Sequence, residues 1–225
     1  MGVMTTRTYG QYCALAKALD AVGERWTLLI VRELLQGPRR YTDLLDGIPG
    51  IATDMLAVRL RDLEGRDLVQ RRKLRAPAAS SVYELTELGL GLGPAVVSLA
   101  TWGMQLLGAR RGEEFRAHWM SLPMRTMFRP DRARGMHLTA EFRLGRDRFH
   151  VMVDDGRLTS GEGEADAPDV VVRAKVETLA AVARGDLDAA DAVAAGRAEV
   201  DGPPEAVAQL LAAFGLDRPS AARAI

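Results

Sequence analysis

The chain has 225 residues, 48% hydrophobic and 27% charged, enough to bury two domain cores and too apolar to be disordered or collagen-like. Its 30 basic and 30 acidic residues cancel, so overall charge selects neither a polyanionic nor a polycationic partner. The single cysteine, Cys13, excludes an internal disulfide and a cysteine-rich zinc module and suits a reducing cytosol.

Charge is uneven along the chain. Residues 1–108 hold 13 basic against 11 acidic side chains, residues 109–134 hold 7 against 3, and residues 135–225 hold 10 against 16. A basic front and an acidic back predict two modules with different partners, at 1–108 and 109–225. Residues 1–12 contain no apolar core of the signal-peptide kind, so a cytoplasmic protein is expected.

In chain order, Leu15, Leu19 and Val22, then Trp26, Leu29, Ile30 and Leu34, recur at helical spacing and predict two helices separated near Gly23. Gly37-Pro38 ends the second. Tyr41, Leu44, Leu45 and Ile48 predict a short third helix, followed by a Pro49-Gly50 turn. A fourth helix begins near Ala52, with Leu56, Leu60 and Leu63 as its apolar stripe. Asp54, Val58 and Arg61 therefore occupy the opposite face, with Thr53 and Ala57 beside it. Short helix, tight turn and half-apolar helix form a helix-turn-helix pattern, whose second helix enters the major groove. Two extended segments follow, 68–72 and 81–85, a winged hairpin that places Arg71, Arg72, Lys73 and Arg75 where cations meet backbone phosphates. Leu88–Ala109 carries no charge and is long enough to span a membrane, but its five glycines, Pro94, Ser98, Thr101 and Gln105 dilute it. A buried or subunit-interface helix is expected there.

These residues carry a family resemblance. Cys13, Ala18-Leu19-Asp20, Val22-Gly23-Glu24-Arg25-Trp26-Thr27, Gly37-Pro38-Arg39-Arg40-Tyr41, Leu44, Ile48-Pro49-Gly50-Ile51, Arg59-Leu60, Leu63-Glu64 and Tyr83-Glu84-Leu85-Thr86-Glu87 through Trp102-Gly103 closely resemble the HxlR-type winged helix-turn-helix regulators, over about residues 9–107. The resemblance implies a homodimeric transcription factor on a two-fold operator in double-stranded DNA, dimerised by its first helix and the helix after the wing. Two departures are visible. Ala52 stands where the family usually has a capping serine, so Thr53 is expected to cap the helix one residue later. Asp67 stands where glycine is common, and aspartate tolerates the left-handed conformation better than most residues. Arg61 suits either a bidentate contact with guanine or a phosphate contact, and Arg59 either DNA or a helix acid. Cys13 resembles a thiol that some members use as a redox sensor, but with no second cysteine a buried or inert thiol is the alternative.

From Gly112 the pattern changes. Residues 113–128 predict an amphipathic helix broken near Pro123. Antiparallel strands are predicted at 136–143, 148–154, 157–162 and 169–173, with an Asp155-Gly156 turn, and helices at 175–184 and 203–214. This is an α+β unit. The run from Pro168-Asp169-Val170-Val171-Val172 through Gly196-Arg197-Ala198-Glu199-Val200-Asp201-Gly202 to Phe214 resembles the sterol carrier protein type 2 fold over about residues 113–216. That resemblance implies a space for apolar molecules. Trp119, Met120, Met124, Met127, Met136 and Met152 are its candidate liners, since thioethers adapt to varied apolar ligands and equally well fill an ordinary core.

No catalytic constellation is present in the sequence. His118, His137 and His150 lack metal-ligand spacing, and Gly89-Leu90-Gly91-Leu92-Gly93 lacks the strand-turn-helix setting of a dinucleotide site. The expectation is a non-enzymatic, cofactor-free DNA-binding regulator, with an apolar-ligand carrier or a thiol-based regulator through Cys13 as rivals.

Overall fold

The structure, a computed structural model, describes residues 8–74, 81–108 and 110–217. Two compact units divide the chain, Met1–Val96 and Val97–Ile225. The division falls inside the sixth helix, twelve residues before the 108/109 boundary expected from charge and composition.

The first unit starts with helices α1 (Ala14–Val22), α2 (Thr27–Leu34), α3 (Tyr41–Gly47) and α4 (Thr53–Gly65). Ile30 and Leu34 of α2, Leu44 of α3, Ile48, and Leu56, Leu60 and Leu63 of α4 are buried together, as the three-and-four spacing predicts. Leu29 departs from that pattern and stays 39% exposed. So does most of α1, whose Leu15 is 68% and Leu19 39% exposed while Val22 is buried. Trp26 precedes α2 at φ 79°, a left-handed backbone costly for a bulky residue, with the Arg25 guanidinium stacked 4.7 Å from its ring.

Strands β1 (Val69–Lys73) and β2 (Ser81–Leu85) pair antiparallel, with Arg71 opposite Tyr83. Arg39 adds a further bridge, giving and taking backbone hydrogen bonds with Tyr83 at 2.9 and 2.8 Å. Asp67 turns the chain from α4 into β1 at φ 56°, the left-handed conformation expected of it. Helix α5 (Glu87–Leu90) is capped by Thr86, whose hydroxyl accepts from the Gly89 N–H at 3.1 Å. A Cβ at Gly89 would lie 2.0 Å from the Leu68 carbonyl oxygen, so only glycine lets α5 close against the hairpin's base.

The uncharged 88–109 stretch does not form one helix. It breaks into the end of α5, α6 (Gly93–Gly103) and a 3-10 turn, Met104–Leu106, and no helix among the described residues is long and apolar enough to cross a membrane.

The second unit is built on a five-stranded sheet, β3 (His137–Leu144), β4 (Asp147–Asp154), β5 (Arg157–Glu162), β6 (Val170–Ala174) and β7 (Ala198–Asp201), in the order β5-β4-β3-β6-β7. The sheet is mixed: β3 and β6 run parallel, correcting the all-antiparallel expectation. The physical reason is the long β5–β6 connection, which carries the chain back past two strands and lets β6 enter on the far side of β3. Asp155 and Gly156 both have positive φ, 43° and 77°, the geometry of a two-residue hairpin turn.

Inward residues Leu138, Ala140, Phe142, Leu144, Phe149, Val151, Val153, Val170 and Val172 form one face of the core. Helices α7 (Ser121–Met127) and α10 (Pro204–Ala213) cover it, with Met124, Leu210 and Phe214 buried against the sheet. The expected helix over 113–128 is shorter: residues 113–116 are not helical, and a 3-10 turn, Ala117–Met120, leads into α7. Pro123 does not break α7, because in the first turn a missing N–H removes no intrahelical bond. Helices α8 (Val176–Arg184) and α9 (Ala189–Ala194) pack Val182 and Ala192 on Ala198 of β7 in a small satellite core. The alternation rules did not single out β7 or α9, which are only four and six residues long.

On the sheet's other face lies Glu141, only 1% exposed. It accepts from the Ala165 N–H at 3.0 Å and from Arg143 at 2.6 Å, and so pins the β5–β6 connection across the sheet. Burial pushes the Glu141 carboxyl up, but the Ala165 hydrogen bond and the charges of Arg143 and Arg148 outweigh it and hold the group below its ordinary 4.5.

Candidate nucleic-acid interface

The short α3, the 48–52 turn and α4 form the helix-turn-helix, and two contacts set its angle. The Tyr41 hydroxyl donates to the Thr53 carbonyl at 2.5 Å, tying the start of α3 to the start of α4. Behind them, Glu33 is 2% exposed and ion-paired with Arg32 at 2.7 Å, and Arg32 also donates to the Gly47 carbonyl at 3.3 Å. A Cβ at Gly47 would lie 2.7 Å from Glu33 Oε2, so this buried pair reaches α3 only through a glycine.

With Leu56, Leu60 and Leu63 pointing inward, α4 leaves Thr53, Asp54 and Arg61 exposed, while Ala57 and Val58 are half-buried. Arg61 folds back on its own helix and donates to the Ala57 carbonyl at 3.2 Å. It has no acidic partner among the described residues. Arg59 is held by Asp62 at 2.8 Å and Glu24 at 3.2 Å, so the ion-pair alternative describes it. The expected Thr53 cap is corrected: α4 starts at Thr53 with Ala52 at the N-cap position and no side-chain cap. Alanine offers no oxygen there, and Thr53 already lies inside the first turn.

On the hairpin, Gln70, Arg71, Arg72 and Lys73 are all exposed. Strand alternation divides them. Arg72 and Gln70 share one face with Glu84, which accepts from Arg72 Nε at 2.9 and 3.0 Å and from Gln70 at 3.0 Å. Arg71 lies on the other face, 5.9 Å from the Tyr83 ring centroid, and Lys73 shares that face by register. Arg71 and Lys73 carry charge uncompensated by an ion pair among the described residues, whereas Arg72 is already neutralised. Nothing in the spacing of the sequence revealed that Glu84 sits across from the basic run. Arg75 lies outside the described residues. Arg39, beside Tyr83, was missed as part of the hairpin because a single bridging residue has no periodicity to read.

Cys13 is exposed at the N-cap position of α1, which corrects the buried alternative. Of the candidate ligand liners, Met120 and Met124 are buried in the second unit's core, and Met127 and Met136 pack against it. Trp119 is half-buried, edge-on to Phe115 at 6.4 Å. Met152 is a correction. Alternation along β4 sends Val151 and Val153 inward and leaves Met152 on the opposite face, 44% exposed.

Comparisons with known proteins match the front and the back of the chain to two different families. The HxlR-like helix-turn-helix family matches residues 21–111, and the alkyl sulfatase C-terminal family matches residues 126–220. The HTH-type transcriptional regulator YodB of Bacillus subtilis is 34% identical over 91 residues, covering 40% of this chain and 81% of that protein. An uncharacterised HTH-type transcriptional regulator of Synechocystis, sll1512, is 32% identical over 98 residues, 44% of this chain and 73% of that protein. Among solved structures, the reduced form of YodB covers 45% of this chain and 100% of its own at 31% identity and a TM-score of 0.39. The sec-alkylsulfatase Pisa1 from Pseudomonas sp. covers 44% of this chain and 16% of its own at 24% identity and a TM-score of 0.39. The chain belongs to the HxlR-like helix-turn-helix family of DNA-binding transcriptional regulators, and carries behind that domain a second one of the alkyl sulfatase C-terminal, sterol-carrier-protein-like kind.

Proposed function

We propose that this chain is a homodimeric, non-enzymatic repressor that binds a two-fold operator through α4 and the hairpin, and whose C-terminal domain tunes that binding by taking up an apolar small molecule. In this reading residues 1–108 bind DNA and dimerise, and residues 109–225 sense. The observation that carries it is the outward face of α4. Thr53, Asp54, Ala57, Val58 and Arg61 lie over a fully buried leucine stripe, which is how a recognition helix presents side chains to base edges. Arg71 and Lys73 flank it as phosphate-seeking cations, with Arg72 on the same hairpin and Arg75 two residues beyond Lys73 in the sequence.

Dimerisation is supported by apolar side chains that a lone subunit leaves in water. Along α1 and its lead-in these are Tyr12, 107% exposed, Leu15 and Leu19. On α6 and the turn after it they are Leu99, 51% exposed, Trp102, 58%, and Leu106, 69%. Exposed apolar side chains on each of these two segments are of the kind that marks an interface, and a two-fold dimer places one recognition helix on each half-site. Sensing is supported by Met120 and Met124 in the second core and Met127 and Met136 packed against it. A ligand there acts only by binding the DNA-competent and DNA-incompetent states with different affinity.

The test is a binding titration of wild type and Arg61→Ala against an operator and a scrambled duplex. Arg61→Ala is expected to narrow the gap between the two by roughly 1–3 kcal/mol if it reads a base. An unchanged affinity for both duplexes removes α4 from the interface. Exposure of Cys13 favours one second reading, a thiol-regulated factor: Cys13→Ser that abolishes an oxidant's effect on DNA binding establishes it, and an unaltered response excludes it.

A further inference from the structure

Helix α8 of the second unit begins over a cleft of about 490 Å³ lined by Lys175, Glu177, Thr178, Gly196 and Arg197. Its chemistry differs from that of the apolar core. Lys175 is the N-cap residue of this nine-residue helix, and no side chain caps it. The leading N–H groups of a helix have no intrahelical acceptor and sit at the positive end of its dipole. Lys175 and Arg197 are both exposed and neither has an ion-pair partner among the described residues, although acidic residues outnumber basic ones across this part of the chain. A third feature is independent of these two. Thr178 is only 5% exposed, lines the cleft, and its hydroxyl makes no hydrogen bond among the described residues. Its oxygen is not one of the fully enclosed unpaired polar atoms, so the hydroxyl opens into the cleft and is free to donate to a bound anion.

We infer that this cleft is a binding site for the oxyanion group of a small molecule, a carboxylate or a phosphate, held by the α8 N-terminus, the Thr178 hydroxyl and the Lys175 and Arg197 cations. Two cations against the one carboxylate of Glu177 leave a single net positive charge, matched to a singly charged head group. Helix N–H groups and a hydroxyl supply directional donors, and Arg197 adds a planar fork. The turn that presents Arg197 is fixed by Gly196 at φ 64° and by the Arg197 N–H donating to the Ala192 carbonyl at 2.8 Å. The site stands apart from the operator reading, because none of its residues belongs to the helix-turn-helix unit.

The test uses ¹⁵N-labelled full-length protein titrated with inorganic phosphate and, separately, with acetate at constant ionic strength. The expected result is a saturable shift of the Val176, Glu177, Thr178, Gly196 and Arg197 amide signals with at least one probe, and the probe that saturates at lower concentration distinguishes tetrahedral from planar anions. Lys175→Gln combined with Arg197→Gln is expected to weaken binding roughly tenfold or more. Thr178→Val, which keeps the side chain's shape, is expected to weaken it roughly threefold. Both charged residues are exposed, so the rest of the spectrum should superimpose on wild type and report an intact fold. Shifts that grow linearly without saturating for both probes, or that are identical in the double variant, overturn the proposal.

Discussion

Arg61, Arg71 and Lys73 differ from Arg72 in one respect that decides how each should behave: only Arg72 has a carboxylate on it, Glu84 at 2.9 Å. A cation that must leave an ion pair to meet a phosphate gains less from DNA than a free one. Arg71→Ala and Lys73→Ala are therefore expected to flatten the slope of log affinity against log salt by about 0.9 each, and Arg72→Ala by visibly less. Measured salt slopes that fall equally for all three would show that Glu84 does not restrain Arg72. Glu141 makes a residue-scale prediction about stability. Its folded-state pKa is depressed below 4.5, so its stabilisation is fully present above the unfolded value and is lost as pH falls through the folded one. Glu141→Gln should reduce the steepness of acid destabilisation below about pH 4.5 by up to about 1.4 kcal/mol per pH unit, read from denaturant midpoints across that range. An unchanged pH dependence would contradict the arrangement with Arg143 and Ala165.

At the scale of elements, α4 is the piece on which the proposed interface rests. Leu60, 1% exposed, anchors it, so Leu60→Ala should cost about 2–5 kcal/mol in chemical unfolding and weaken DNA binding with it. A cost below 1 kcal/mol would mean that α4 is not seated on the core as described. Helix α1 teaches the opposite lesson. Its periodic leucines were legible in the sequence, but periodicity says that a stripe is apolar, not what covers it, and Leu15 and Leu19 face outward. Leu15→Glu and Trp102→Glu are each expected to convert a dimer into monomers in sedimentation experiments at micromolar concentration, since a charge in a two-fold interface is met by its own copy. Dimers that persist in both variants would place the interface elsewhere.

For the whole molecule, helices α2 to α4 of the first unit and four strands of the second were readable because burial there follows simple periods, 3.6 in α4 and 2 in β3 and β4. What was not readable depends on contacts distant in sequence. The pairing of Arg72 with Glu84 is one such contact, and the parallel seating of β6 beside β3 is another. The outward turn of Met152 was within reach of alternation, had Val151 and Val153 been assigned to the core first. The candidate cleft at α8 lay beyond reach, because Lys175 and Arg197 are joined only by the fold.

A dimer of this chain is proposed to read a two-fold DNA sequence through α4 and the hairpin. The most direct measurement is selection of bound duplexes from a random pool by the full-length protein, followed by salt-dependent affinity of the enriched sequence. The expected result is enrichment of an inverted repeat with half-sites about 10 base pairs apart or a multiple of that spacing, bound with an affinity that falls as salt rises. A pool that remains random, with binding too weak to depend on sequence, would contradict it.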